Sequence, residues 1–108
     1  MVDGAPVLVL VAGDQMVDDR KLGALYGVGR KKVRIANAEQ TIQSTGYAPG
    51  AVPPVGHVTE LPIWIDETLG RYDIVYAAAG SPASIFPVLF QTLVEITGGQ
   101  VAALVKEQ

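Results

Sequence analysis

The stretch from Thr45 to Pro62 sets the strongest limit on how this chain can fold. It holds Gly46, Pro49, Gly50, Pro53, Pro54, Gly56 and Pro62, too many helix and strand breakers for a long regular element. A shaped loop is expected there, with the regular elements confined to either side.

Upstream, Val7 to Val11 is a continuous apolar run between Pro6 and Ala12-Gly13-Asp14, which predicts a strand buried on both faces. Asp18 reads as the N-cap of a helix over Asp19 to Tyr26, with Leu22, Leu25 and Tyr26 on one face and Gly27 and Gly29 as the stop. Lys32 to Ile35 alternates charged and apolar residues, predicting a short strand with Val33 and Ile35 inward. Asn37, followed three residues later by Gln40, predicts a capped helix ending near Ser44.

Downstream, Pro62 to Asp66 and Ile74 to Ala78 read as strands, and Gly80-Ser81-Pro82 as a turn. Ala83 to Pro87 predicts a further short strand. Leu89, Leu93 and Ile96 recur at helical spacing, and Val101 to Val105 reads as a closing strand. This mixed order predicts an α+β fold, a mixed, partly closed β-sheet or barrel with flanking helices. With 108 residues, 49% of them hydrophobic, residues 1–108 are expected to form a single domain around one modest core. Asp3-Gly4 is a hairpin turn signal preceded only by Met1 and Val2, so the strand it would serve is expected to be missing. The tail is then either loose, or the chain begins inside a larger natural domain.

Several function classes fall away. Cysteine is absent, and one histidine supplies too few nitrogen ligands for a typical zinc site, so neither a metal nor another cofactor is expected. No apolar run reaches the roughly 18 residues of a membrane helix and no secretory leader is visible, so a cytoplasmic protein without membrane contact is expected. A net charge of −3 requires any nucleic-acid contact to be local. Arg30, Lys31, Lys32 and Arg34 make up half of the eight basic residues and suit a few phosphates, although a solvated strand edge would also be basic.

The segment from Thr45-Gly46-Tyr47-Ala48-Pro49-Gly50 to Ala51-Val52-Pro53-Pro54-Val55-Gly56 resembles the diagnostic loop of the YbaK and prolyl-tRNA synthetase-associated editing family. Leu61 to Glu67 resembles that family's strand ending in Asp-Glu, and Val75 to Pro82 its later strand and turn. The resemblance spans Val7 to about Val105. It implies a trans-editing aminoacyl-tRNA deacylase, acting on mischarged tRNA(Pro) or a similar tRNA through its 3′ end, with an aminoacyl-tRNA synthetase as a possible partner.

The resemblance also assigns roles. Backbone N–H groups of Gly50 and Ala51 are expected to stabilise the ester oxyanion, Ala51 standing where many relatives have a second glycine. Thr45, Gly46, Tyr47, Val52, Pro53, Pro54 and Gly56 are expected to shape the substrate pocket, with His57 beside it as a proton shuttle or an idle loop residue. Asp66 either orients the loop or the substrate amine, or caps a helix. Gly80, Ser81 and Pro82 form the second wall, Ser81 replacing the histidine of some relatives. The family's catalytic lysine lies on a strand upstream of Val7 and has no counterpart here, so an N-terminal truncation is expected, leaving Val7 to Val11 as an open edge for a homodimer to cover. Two rival readings follow: a domain that binds tRNA or a synthetase without hydrolysis, and a small-molecule binding domain using the same pocket.

Overall fold

Three β-rich runs far apart in sequence come together as a parallel sheet in the computed structural model, which describes residues 1–12, 15–49, 51–57, 60–78 and 85–106. Strands β1 (Leu8–Leu10), β2 (Ile63–Asp66) and β5 (Gln100–Ala102) lie in the order β1-β2-β5, both pairs parallel, with Val9 opposite Trp64 and Ile65 opposite Val101. Parallel neighbours need long crossovers. The first carries helices α1 (Asp19–Leu25) and α2 (Ala38–Thr45) and the Gly/Pro-rich loop. The second carries strands β3 (Ile74–Ala78) and β4 (Ile85–Leu89) and helix α3 (Phe90–Thr97).

Of the expected mixed, partly closed β-sheet or barrel with flanking helices, the mixture of helices and sheets is present among the described residues and the barrel is not. The only antiparallel strand pair among the described residues is the separate β3-β4 ribbon, and no barrel closes. Pro87 sits in this ribbon opposite Tyr76, where a missing N–H is tolerable because each strand has a single partner.

The sheet divides the core, because successive side chains of a strand point to opposite faces. Val7, Val9 and Trp64 pack on a cluster of Val2, Leu22, Val33 and Leu104, whereas Leu10, Ile63 and Ile65 belong with Leu69, Val75 and Leu93. β1 therefore packs on both faces as expected, but its residues are only half-buried, since it is the outer strand of the sheet. Ile65 and Leu104 are both fully buried, and truncating either to Ala would cost about 2–5 kcal/mol.

The first third of the chain departs from the sequence reading at the tail and at Lys32 to Ile35. Asp3 and Gly4 take φ of 48° and 81°, the left-handed pair of a type I′ turn, but the turn closes on its immediate neighbours, Val2 bridging Ala5. Val2 also bridges Val33 and is buried, so the tail is docked and not loose. The expected strand from Lys32 to Ile35 is absent. Arg30–Lys32 form a 3-10 helix, Val33 makes the single bridge to Val2, and Ile35 is 97% exposed rather than inward.

Other boundaries shift by one to three residues. The closing strand stops at Ala102, and Val105 bridges Val17 instead. Of Leu89, Leu93 and Ile96 only Leu93 is buried, with Phe90 and Val94 of α3 packed beside it, while Leu89 and Ile96 stay exposed.

Candidate functional site

Helix α2 is fixed at both ends by local chemistry. The Asn37 N–H donates to Gln40 Oε1 at 3.0 Å and the Gln40 N–H to Asn37 Oδ1 at 2.8 Å, so two N–H groups without helical partners are satisfied reciprocally. At the other end Gly46 adopts the left-handed conformation and its N–H donates to the Ile42 carbonyl. The loop leaves from this stop.

Its first residues are pinned by Thr45, whose buried hydroxyl donates to the Thr41 carbonyl at 2.7 Å and accepts the Tyr47 N–H at 3.0 Å. Further on, His57 Nε2 donates to the Pro53 carbonyl at 2.7 Å, folding the segment onto itself. Gly56 has φ of 83°, and a methyl group there would lie 3.7 Å from the Tyr47 hydroxyl; the conformation, more than the space, demands glycine. Ala51, Pro53 and Pro54 are buried.

Two concavities meet beside this loop. A largely apolar groove of about 690 Å³ has β1 as one wall, through Leu8 and Val9, with Thr41 and Thr45 of α2 and Pro49 and Val52 of the loop as others. An open cleft of about 810 Å³ is lined by Lys31, Lys32 and Arg34, with Asp3, Asn37 and Gln40 around them. Met1, Arg34, Ile35 and Gln40 border both. An apolar recess thus opens beside a cationic one, an arrangement suited to a ligand with an uncharged end and a phosphate-bearing end.

Residues 1–96 match the family model described as the aminoacyl-tRNA editing domain. The chain belongs to this family. Among relatives of the editing domain, an uncharacterised Bacillus subtilis (strain 168) protein, YwhH, is 27% identical over 95 residues, covering 88% of this chain and 59% of that protein. A proline–tRNA ligase of Lactobacillus gasseri is 37% identical over 79 residues, covering 72% of this chain and 14% of the ligase. A crystal structure described as a candidate trans-editing enzyme for prolyl tRNA synthetase superposes with a TM-score of 0.87 at 40% identity, covering 94% of this chain and 62% of that one. The chain therefore spans less than two thirds of each of these relatives.

Within the editing domain, the expected site residues fall into distinct groups. Thr45 and Val52 line the groove, and Lys31, Lys32 and Arg34 line the cleft, whereas Arg30 is exposed outside both. Gly46, Tyr47, Pro53, Pro54, Gly56 and His57 shape the loop without lining either concavity. Gly50, Gly80, Ser81 and Pro82 lie outside the described residues.

Two expected site residues are engaged within the protein itself. The Ala51 N–H donates to the Ala48 carbonyl at 3.0 Å, so this expected oxyanion donor is engaged within the loop. The Asp66 carboxylate is fully buried: Oδ1 accepts the Leu104 N–H at 2.8 Å, and Oδ2 accepts the Thr68 N–H at 3.0 Å and the Thr68 hydroxyl. Asp66 thus caps the 3-10 helix Glu67–Arg71, the second of the two roles expected for it, and both carboxylate oxygens are taken up by protein donors. Burial by itself would raise its pKa; the bonds from the Thr68 hydroxyl and from the backbone of Leu104, Thr68 and Val105 outweigh this and hold it below the usual aspartate value.

The sequence reading missed the groove walls supplied by β1 and by Gln40 and Thr41 of α2. No local pattern marks them, because only the tertiary fold sets β1 beside α2. No helix among the described residues is long and apolar enough to cross a membrane.

Proposed function

We propose that residues 1–108 form a single aminoacyl-tRNA deacylase domain that hydrolyses misacylated tRNA in trans. The observation carrying this reading is the continuity between the apolar groove at Thr45, Pro49 and Val52 and the cleft at Lys31, Lys32 and Arg34. The acyl group occupies the groove and the 3′ end of the RNA lies over the cations. Water adds to the acyl carbon, the negative charge of the tetrahedral intermediate gathers on the carbonyl oxygen, and the ester C–O bond breaks as the ribose oxygen takes up a proton.

With the Ala51 amide engaged, the Gly50 amide is the remaining candidate from the loop to steady that charge, and the terminal ribose hydroxyl positions the water. Ser81 and its neighbours would complete the far side. The likeness to proline–tRNA ligases supports tRNA(Pro) as the substrate and a synthetase as a partner, and a cytoplasmic location belongs to the same proposal. The outer edge of β1 is a wall of the groove, so a second copy paired along it would displace the acyl group. We therefore assign the groove to substrate and not to a dimer contact.

The engaged Ala51 amide favours a second reading, binding of charged tRNA without hydrolysis. Incubation with tRNA(Pro) mischarged with amino acids of several sizes separates the two. Release of the amino acid faster than in buffer, reduced at least tenfold by Val52→Trp in the groove, supports hydrolysis. Retention of the ester with saturable binding supports the second reading, and neither result leaves both without support.

A further inference from the structure

Ile35 is the most exposed large hydrophobic residue among those described, at 97%, and it lies on the border shared by the groove and the cationic cleft. Its backbone is held from both directions. On one side the Arg34 N–H donates to the Met1 carbonyl at 2.9 Å, and on the other Asn37 is locked into the capping box of α2. A rigidly presented apolar side chain with Lys31, Lys32 and Arg34 around it, and Asp3 as the single acid lining the same cleft, suits a polyanion that also carries flat, weakly polar faces.

We infer that Ile35 packs against the terminal nucleobase of the single-stranded RNA 3′ end, while Lys31, Lys32 and Arg34 take the adjoining phosphates. This rests on the reading above: an acyl group seated at Thr45 and Val52 is attached to the terminal nucleoside, which must then cross the border at Ile35 to bring its phosphates to the cleft. The contact discriminates an RNA with an intact terminal base from one without it. The lysines, by contrast, supply affinity without regard to base.

The test measures binding of an uncharged RNA hairpin with a single-stranded 3′ end, alongside the same hairpin made abasic at its last nucleotide. Wild type should bind the abasic hairpin about tenfold more weakly. Ile35→Ser should weaken binding of the intact hairpin by a similar factor, with no further loss on the abasic one, and should leave the salt dependence unchanged. Lys31→Ala with Lys32→Ala should lower the slope of log affinity against log salt by about 1.4 in total, at about 0.7 per single-strand phosphate contact.

Equal affinity of Ile35→Ser and wild type for the intact hairpin overturns the inference. So do losses that multiply when Ile35→Ser is combined with the abasic hairpin, and so does conversion of a wild-type dimer to a monomer by Ile35→Ser in light scattering, which would assign the residue to a protein contact. If mischarged RNA is not hydrolysed while the Ile35 loss and the abasic loss still coincide, the deacylase reading fails and the base contact stands. Hydrolysis without that coincidence rejects the contact alone.

Discussion

Asp66 at the end of the central strand accepts the N–H of Leu104, 38 positions away in sequence, at 2.8 Å. This one carboxylate also receives Thr68, and so links the cluster containing Leu104 to the 3-10 helix that places Leu69 in the opposite cluster. Asp66→Asn keeps the volume but turns an NH2 group toward one set of donors. It should lower unfolding free energy by about 2–3 kcal/mol, measured by urea denaturation, with deacylation near wild type at temperatures where the variant stays folded. Loss of activity without loss of stability would return Asp66 to the substrate.

The same carboxylate makes stability depend on acid. Its pKa is lowered in the folded chain, so the unfolded chain takes up a proton first as pH falls. The contribution is complete above the usual aspartate range and is lost as pH falls from about 4 toward the folded value. Thermal melts between pH 7 and pH 3 should show wild type losing stability at the acid end more steeply than Asp66→Asn.

Asn37→Ala removes the half of the α2 capping box in which the Asn37 side chain accepts the Gln40 N–H, and leaves the backbone N–H of residue 37 to the Gln40 side chain. A loss of about 1 kcal/mol is expected, read from chemical denaturation. Because Asn37 and Gln40 also line the cationic cleft, RNA affinity should fall with it, whereas Glu39→Ala on the same helix should leave affinity unchanged.

His57 holds the Pro53 carbonyl and lines neither concavity. His57→Ala should slow deacylation less than tenfold and leave the shape of the rate against pH unchanged between pH 5.5 and 8. A change in the shape of that profile would instead assign His57 to proton transfer.

Gly56→Ala places a side chain at φ of 83°, at a cost of about 1–2 kcal/mol. The groove side of the loop should shift with it. A drop in melting temperature of several degrees together with weaker binding of mischarged RNA is expected, and a wild-type melting temperature would show that the loop does not need glycine there.

Features whose cause lies within a few residues were legible in the sequence. Asn37, Gln40 and Gly46 mark both ends of α2, and Asp18 marks the start of α1, because caps are made by neighbours. The β-branched runs of β1, β2 and β3 were equally plain. Lys32 to Ile35 misled because alternation states which residues could share a face but not what stands opposite. Val2 supplies one bridge there, and nothing covers Ile35 among the described residues.

The site divides in the same way. The cationic cluster and the loop were readable, the groove between β1 and α2 was not. The engagement of Ala51 by Ala48 three residues earlier is a local bond, and Pro-Gly between them is a turn-forming pair in the sequence.

The docking of Met1 and Val2 has a practical consequence. The Met1 amine donates to the Arg34 carbonyl, and Met1 borders both concavities, so any polypeptide fused ahead of it would emerge at the mouth shared by the two. An affinity tag placed there would shade the lysines and Ile35 from solvent and depress measured RNA affinity for reasons unrelated to the protein's own chemistry. Purification handles belong at the opposite terminus or should be cleaved away before titration.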